Sequence, residues 1–243
     1  MATAARAGPR TRARPAPRGA LARGRAAAAA AAAPVLPFRV GHGFDLHRLE
    51  PGYKLWVGGV DIPHVVGCAA HSDGDVLLHC ITDSILGGLS LPDIGQIFPD
   101  NDPKWKGQAS DVFLKEACRL AAERGYVIGN IDATLIAQKP KMAPHKEQIM
   151  VNIAEYCGID RAAVNVKAKT HEKVDSLGEN RSIACHSVVM LVHKNFMPDG
   201  FDLGGGEAFA APAVDEFGAL VEKTKVEADT RRGTDHVSVA GAD

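Results

Sequence analysis

The stretch GHGFDLHRL, residues 41–49, decides how this chain is read. An apolar lead-in from Phe38 predicts a short strand beginning over residues 38–44. On an extended backbone, residues two apart point to the same side. Asp45 and His47 therefore present a carboxylate and an imidazole together. Such a pair supplies two ligands of a zinc-type site, which in catalytic centres takes three protein ligands and keeps a fourth position open. A D-x-H pair alone also occurs on plain strand surfaces, so a third ligand has to come from elsewhere.

It is sought in AHSDGDVLLHCITDSILGG, residues 70–88. A helix is predicted from Ser72 or Asp73 as N-cap to Leu86, with Gly87 and Gly88 stopping it. Asp75, His79 and Asp83 are spaced by four and form one stripe. His79 is preferred as the third ligand because a mid-helix side chain is rigidly held. His71, at the helix entrance, is the competing ligand and is better placed near an anion. His42 has no evident partner and reads as structural.

A second apolar run covers residues 55–60, interrupted by Gly58 and Gly59. An ordered loop is expected over 91–102, a helix over 111–124 stopped by Gly125, and a strand over 126–137. Pro144 opens a helix that reaches Tyr156, with Gly158 after it. Strands are expected at 164–169 and 183–193. The order β-β-α-α-β-α-β-β predicts an α+β fold, a mixed β-sheet with helices packed on one face. The usual nucleotide cradles, G-x-G-x-x-G after a strand or a Walker loop, are not found.

The chain has 243 residues, 46% hydrophobic and 23% charged, with a formal net charge of −1. That composition excludes wholesale disorder and argues against a nucleic-acid binder. No charge-free apolar run reaches the length of a membrane span. The neutral average conceals three segments. Residues 1–37 hold seven Arg, sixteen Ala and no acid. They resemble an organelle transit peptide, although no Ser precedes Ser72. Residues 38–197 are nearly balanced and form the folded domain. Residues 198–243 hold 10 acidic and 4 basic residues. They read as a flexible acidic extension with one transient helix around 214–228. Cysteines at 68, 80, 118, 157 and 185 are odd in number with no C-x-x-C, which points to buried thiols in a reducing compartment.

Three polar connections complete the inventory. Asp93, Asp100 and Asp102 lie in LSLPDIGQIFPDNDPKWKG, residues 89–107, as candidates for holding hydroxyls or a cation. Asx-turns and helix caps explain them equally well. Lys139, Pro140 and Lys141 link a strand to a helix within residues 136–145, and could bind phosphate. Residues 166–184 gather Lys167, Lys169, Lys173, Thr170, Glu172 and Arg181 between two strands.

In order, G-H-G-F-D-x-H, A-H-S-D-G-D-V-x-x-H, D-I-G-x-x-F-P-D-x-D-P-x-x-K-G, A-Q-x-P-K-M-x-P-H and V-N-V-K-A-x-T-x-E-K run through residues 38–195. Together they closely resemble the 2-C-methyl-D-erythritol 2,4-cyclodiphosphate synthases of non-mevalonate isoprenoid biosynthesis. The resemblance implies a homotrimer with active sites between neighbouring subunits. It implies zinc on Asp45, His47 and His79, one ion per site at the subunit interface. Glu172 matches the carboxylate that holds a Mg2+ or Mn2+ between phosphates. His71 and Thr170 match residues that stabilise the transition state.

The same resemblance places substrate contacts at Ser72, at Asp93, Ile94, Gly95 and Phe98, and at Asp100 and Asp102. The cytidine pocket falls on the 137–142 loop, with Ala137, Lys139, Pro140, Lys141 and Met142. Lys169, His171, Ser176 and Arg181 are the remaining contacts. The implied reaction converts 4-diphosphocytidyl-2-C-methyl-D-erythritol 2-phosphate to the cyclic diphosphate and CMP, the 2-phosphate attacking the β-phosphate. No protein nucleophile is needed. Bacterial members carry G-R-x-E-G where this chain has Gly178-Glu179-Asn180-Arg181-Ser182, so the Arg is displaced by two positions. The form here resembles plant and algal members, which makes a plastid the expected destination of the leader. A metal-dependent phosphohydrolase and a non-catalytic nucleotide-binding homologue are the competing readings.

Overall fold

The computed structural model describes residues 35–70, 72–99, 101–102, 104–105 and 108–198. The leader up to residue 34, the tail helix expected at 214–228, His71 and Asp100 lie outside the described residues.

Strand β1 spans Phe38–Glu50, well beyond the expected 38–44. It stays in the ladder through the polar D-x-H segment because backbone groups make the pairing. Its antiparallel partner is the last strand, from Phe38 opposite Val192 to Arg48 opposite Ser182. The apolar run at 55–60 is a hairpin rather than one strand: β2, Leu55–Val57, turns into β3, Val60–Ile62. Gly58 and Gly59 sit at φ +58° and +73°, the left-handed pair that a two-residue hairpin turn requires. A short β4, Gly67–Cys68, pairs with the end of β1.

Helix α1 covers Val76–Gly88. It starts later than expected. Asp75 is the N-cap, accepting from the N–H groups of Leu77 and Leu78, while Asp73 is turned toward a different helix. The two glycines at its end are helical. The expected loop at 91–102 contains one short helical turn, α2, Ile94–Ile97. Then follow α3, Ser110–Glu123, β5, Tyr126–Ile136, α4, Lys146–Cys157, β6, Val164–Lys169, and β7, Ser182–His193. Gly158 ends α4 at φ +62°.

The sheet order is β4-β1-β7-β5-β6, with β5 and β6 parallel and the other pairs antiparallel. The fold is the expected α+β mixed sheet. Helix α1 packs on β1 and β7, α3 on α1 and β5, and α4 on α3 and β6. Between these layers Leu77, Ile81, Ile85, Leu114, Leu135 and Ile153 are fully buried. Each such side chain contributes about 1.5–3 kcal/mol through removal from water. All five cysteines are buried and free. Among the described residues no helix is long and apolar enough to cross a membrane.

Among the described residues, the other face of the sheet is covered only at one end, where Leu177 packs with Ile136 and Ala184. Phe38, Val40, Phe44 and Leu46 of β1 and Val188 of β7 are 44–69% exposed there. His42 lies on this face, its Nε2 3.4 Å from Nδ1 of His186, so it does have a partner.

Candidate metal centre

Glycine sets the distance between β1 and α1. A Cβ on Gly41 would stand 1.7 Å from the Ser84 carbonyl oxygen, and one on Gly43 2.0 Å from that of Cys80. Only bare backbone allows the helix to lie this close to the strand. With the helix seated there, His79 faces the two ligand candidates two and four residues further along β1.

The three donors converge. His47 Nε2 is 2.9 Å from Asp45 Oδ2, His79 Nδ1 is 3.4 Å from the same oxygen, and the two imidazole nitrogens are 3.2 Å apart. Ligands about 2.0–2.1 Å from a tetrahedral ion stand about 3.3–3.4 Å from one another. The triangle is one face of such a tetrahedron, slightly contracted. Asp45 Oδ2 is buried and no contact to it has hydrogen-bond geometry. Among the described residues, this is the one cluster of three or more His, Cys, Asp or Glu that suits a metal ion. The donor set, two imidazoles and a carboxylate, fits a divalent cation.

The electrostatics agree. Burial works against the charge on Asp45, yet contact with His47 and His79 holds its carboxyl well below the usual carboxylate range. Burial pulls the His79 imidazole down, but contact with Asp45 and the charges of Asp45, Asp73 and Asp75 outweigh it and raise it above 6.5. The site is thus a negative well built for cations. The nearby Cys68 thiol is pushed far up by burial and by Asp75, Asp45 and Asp73, so it is no nucleophile.

His47 and His79 open into a cleft of about 280 Å3, also lined by Ser72, Ile94, Gly95, Phe98, Trp105 and Phe113. Phe98 packs its ring 5.0 Å from both Trp105 and Phe113, making an apolar wall. Asp83, one turn beyond His79, accepts a 2.7 Å hydrogen bond from Ile94 N–H and ties α2 to the metal helix. Asp93 caps α2 through Gln96 N–H, and Asp102 accepts from Lys104 N–H. These carboxylates do local backbone work here. Trp105, Phe113 and Ser110 are not legible from the sequence as site residues. A Ser just ahead of a helix reads as a cap, and ring-lined walls come from three separate segments.

The remaining predicted residues gather elsewhere. The loop with Ala137, Lys139, Pro140, Lys141 and Met142 leaves the end of β5, and its Lys139–Pro140 peptide is cis. Lys169 ends β6, where it pairs with Ile136. Thr170 Oγ1 donates to Glu172 Oε1 at 2.7 Å, and His171 contacts Asp175 at 2.8 Å. Ser176 Oγ accepts from Ser182 Oγ, and Arg181 pairs with Glu179. Glu172 and Lys173 hold left-handed backbones at φ +51° and +63°. Through the register, this cluster lies level with His47: Lys169 faces Ile136, Ile136 faces Ala184, and Ala184 faces Leu46. But β7 and β5 intervene, so β6 lies three strand spacings from β1, about 14 Å. The structure brings together Asp45, His47, His79, Ser72, Ile94, Gly95 and Phe98. It does not bring them to Lys141, Thr170 or Glu172 within one chain.

Known proteins resemble this chain. The YgbB family model matches residues 38–192. The chloroplastic 2-C-methyl-D-erythritol 2,4-cyclodiphosphate synthase of Arabidopsis thaliana is 70% identical over 160 residues, which are 66% of this chain and 69% of that one. Plasmodium falciparum IspF, in a complex with CDP, superposes with a TM-score of 0.58 at 40% identity over 65% of this chain and 97% of its own. The bifunctional IspDF of Campylobacter jejuni gives a TM-score of 0.63 at 40% identity. There the match takes in 66% of this chain but only 43% of the larger protein. With a matching family model over most of its length and a metal triad set on the motif residues, the chain belongs to the YgbB family.

Proposed function

We infer that this protein is a 2-C-methyl-D-erythritol 2,4-cyclodiphosphate synthase, acting in non-mevalonate isoprenoid biosynthesis. The observation that carries the reading is the Asp45–His47–His79 triangle opening into the cleft beside Ile94 and Gly95. In the proposed reaction a 2-phosphate oxygen bonds to the β-phosphorus of 4-diphosphocytidyl-2-C-methyl-D-erythritol 2-phosphate. The bond from that phosphorus to the bridging oxygen breaks, and CMP leaves with the oxygen.

Asp45, His47 and His79 would hold Zn2+, and Glu172 would hold Mg2+ or Mn2+. Such ions neutralise phosphate charge and so lower the repulsion between attacking and leaving groups. The chain's own part is positioning. Ile94, Gly95 and the Phe98 wall take the methylerythritol portion and exclude water. Lys139 and Lys141 meet the cytidine diphosphate side, while Ser72, His71 and the Thr170 hydroxyl contact phosphate oxygens. Holding both phosphates in line removes much of the entropic barrier to ring closure.

The same reading has the site shared in a homotrimer. Its support is twofold: the metal half and the Lys141–Thr170–Glu172 half lie about 14 Å apart across the sheet, and the exposed apolar patch of Phe38, Val40, Phe44, Leu46 and Val188 needs cover. The count of three comes from the family resemblance. Residues 1–37 are proposed as a plastid transit peptide, in keeping with chloroplastic relatives. A fluorescent fusion that reaches plastids without them would refute that role. Phosphorus NMR of the product formed with Mg2+ tests the activity. CMP with a cyclic diphosphate is expected, whereas CMP with a linear product would mean a phosphohydrolase.

A further inference from the structure

His79 turns Nδ1 toward Asp45 and His47, and its other nitrogen, Nε2, is 2.8 Å from Ser110 Oγ at the first turn of α3. Ser110 Oγ in turn donates a very short hydrogen bond to Asp73 Oδ1. Asp73 is 7% exposed and Ser110 fully buried. Two backbone donors also reach this carboxylate: Ser110 N–H reaches Oδ2 at 3.1 Å, and Asp75 N–H reaches Oδ1 at 3.2 Å.

Counting protons along this chain gives the imidazole's state. A serine hydroxyl has one proton, and that of Ser110 is committed to Asp73. Toward His79, Ser110 Oγ has only lone pairs to offer. Nε2 must therefore carry the proton, which leaves the lone pair on Nδ1, the atom that faces the metal triangle. Ser72 Oγ also lies 3.2 Å from Nε2, but farther away and while accepting from Gly74 N–H.

We propose that Asp73 and Ser110 are positioning residues of the metal centre, a carboxylate–hydroxyl relay that fixes the tautomer and ring orientation of His79. The proposal rests on the metal reading of Asp45, His47 and His79. Asp73 also satisfies a free N–H at the start of α3, where Ala109 offers no side-chain cap. A purely structural role would end there. The relay goes further, because removing such outer partners typically weakens metal affinity about 10–100-fold.

The test uses the full chain stripped of metal, with affinity for Zn2+ or Co2+ read by competition with a chromophoric chelator. Ser110→Ala and Asp73→Asn should each weaken binding about 10–100-fold and alter the visible spectrum of the cobalt form. Ser84→Ala is the control. Its hydroxyl is equally buried in a helix and bonds Cys80 and Ser187 away from the triangle. It should lower thermal stability comparably and leave metal affinity unchanged. In the zinc-loaded wild type, nitrogen NMR should find His79 protonated at Nε2. Wild-type affinity in a folded Ser110→Ala and Asp73→Asn pair would overturn the relay while leaving the metal site standing. Wild-type protein that takes up no ion would overturn both.

Discussion

Two regions of this domain are built on opposite plans. Where β1 meets α1, glycines press backbone against backbone, the helix is capped by a buried Asp75, and three ligand atoms meet within 3.4 Å. In the connection from β6 to β7, Glu172, Lys173 and Asn180 take left-handed backbones without being glycine, and the charged Glu172 and Lys173 are exposed. The first region is complete within one chain. The second holds groups suited to phosphates but nothing for them to act with. The difference shows that the metal half is fixed by packing against a helix, while the β6–β7 connection, proposed above as the nucleotide half, is shaped by turns of its own.

The largest expected effect lies at the close approach. Gly41→Ala sets a methyl against the Ser84 carbonyl, which sits on a rigid helix and cannot swing aside. We expect a loss of at least about 3 kcal/mol, or a fall in Tm of about 6–12 °C. Gly52→Ala, at φ +86° but with nothing within 4 Å, should cost only about 1 kcal/mol. Equal losses in calorimetry would mean that backbone conformation, not the strand–helix contact, is what glycine supplies at position 41.

Next in size is the separation of the two halves. His79→Ala and Lys141→Ala should each lower kcat/KM about 100-fold or more. Co-expressed, they should recover about a quarter of wild-type activity, since one interface in four then joins an intact metal half to an intact loop half. Verified mixed oligomers without recovery would place both halves in one chain.

Much of this was legible from local sequence, and the exceptions are instructive. The strand Val164–Lys169 appears at its expected limits because one face of it, Val164 and Val166, is buried. The D-x-H pair announces the ligands. The start of α1 was not legible, because Ser72, Asp73 and Asp75 are all good caps and only α3, far along the chain, draws Asp73 away. Nor was the distance between the half-sites, which depends on the strand order β1-β7-β5-β6 rather than on any motif. Ser110 is not legible for the same reason: the role proposed for it exists only where α3 meets α1.

A third prediction concerns pH. The raised value of His79 means that its contact with Asp45 stabilises the metal-free protein fully below about 6.5 and is lost as pH rises through that raised value. Asp45, held low, sets the acid limit: its share is present above about 3.8 and disappears as pH falls through its lowered value. Metal affinity runs the other way, because a protonated imidazole cannot ligate. From about pH 6 to 8, the Tm contribution of the triad, read as wild type minus His79→Ala, should therefore fall while Zn2+ affinity climbs. Slopes of the same sign would mean that the triad is not coupled as its geometry indicates.

The smallest effect probes the second region alone. Lys173 sits at φ +63°, where a side chain costs about 1–2 kcal/mol. Glycine relieves that cost but gives back about 0.5–1 kcal/mol in unfolded-chain entropy. Lys173→Gly should thus stabilise the protein by about 0.5 kcal/mol, a Tm rise of about 1–2 °C. At the same time the loop that carries Thr170 and Glu172 becomes freer, so KM should rise while kcat changes little. If stability falls instead, the Lys173 side chain holds the loop by contacts that outweigh its backbone strain, and the left-handed bend is not stored for a ligand. If KM and stability both stay put, the loop's shape is set by Asp175, which accepts from Leu177 and Gly178 N–H. Its bonds then shape the nucleotide half as firmly as the glycines shape the metal half.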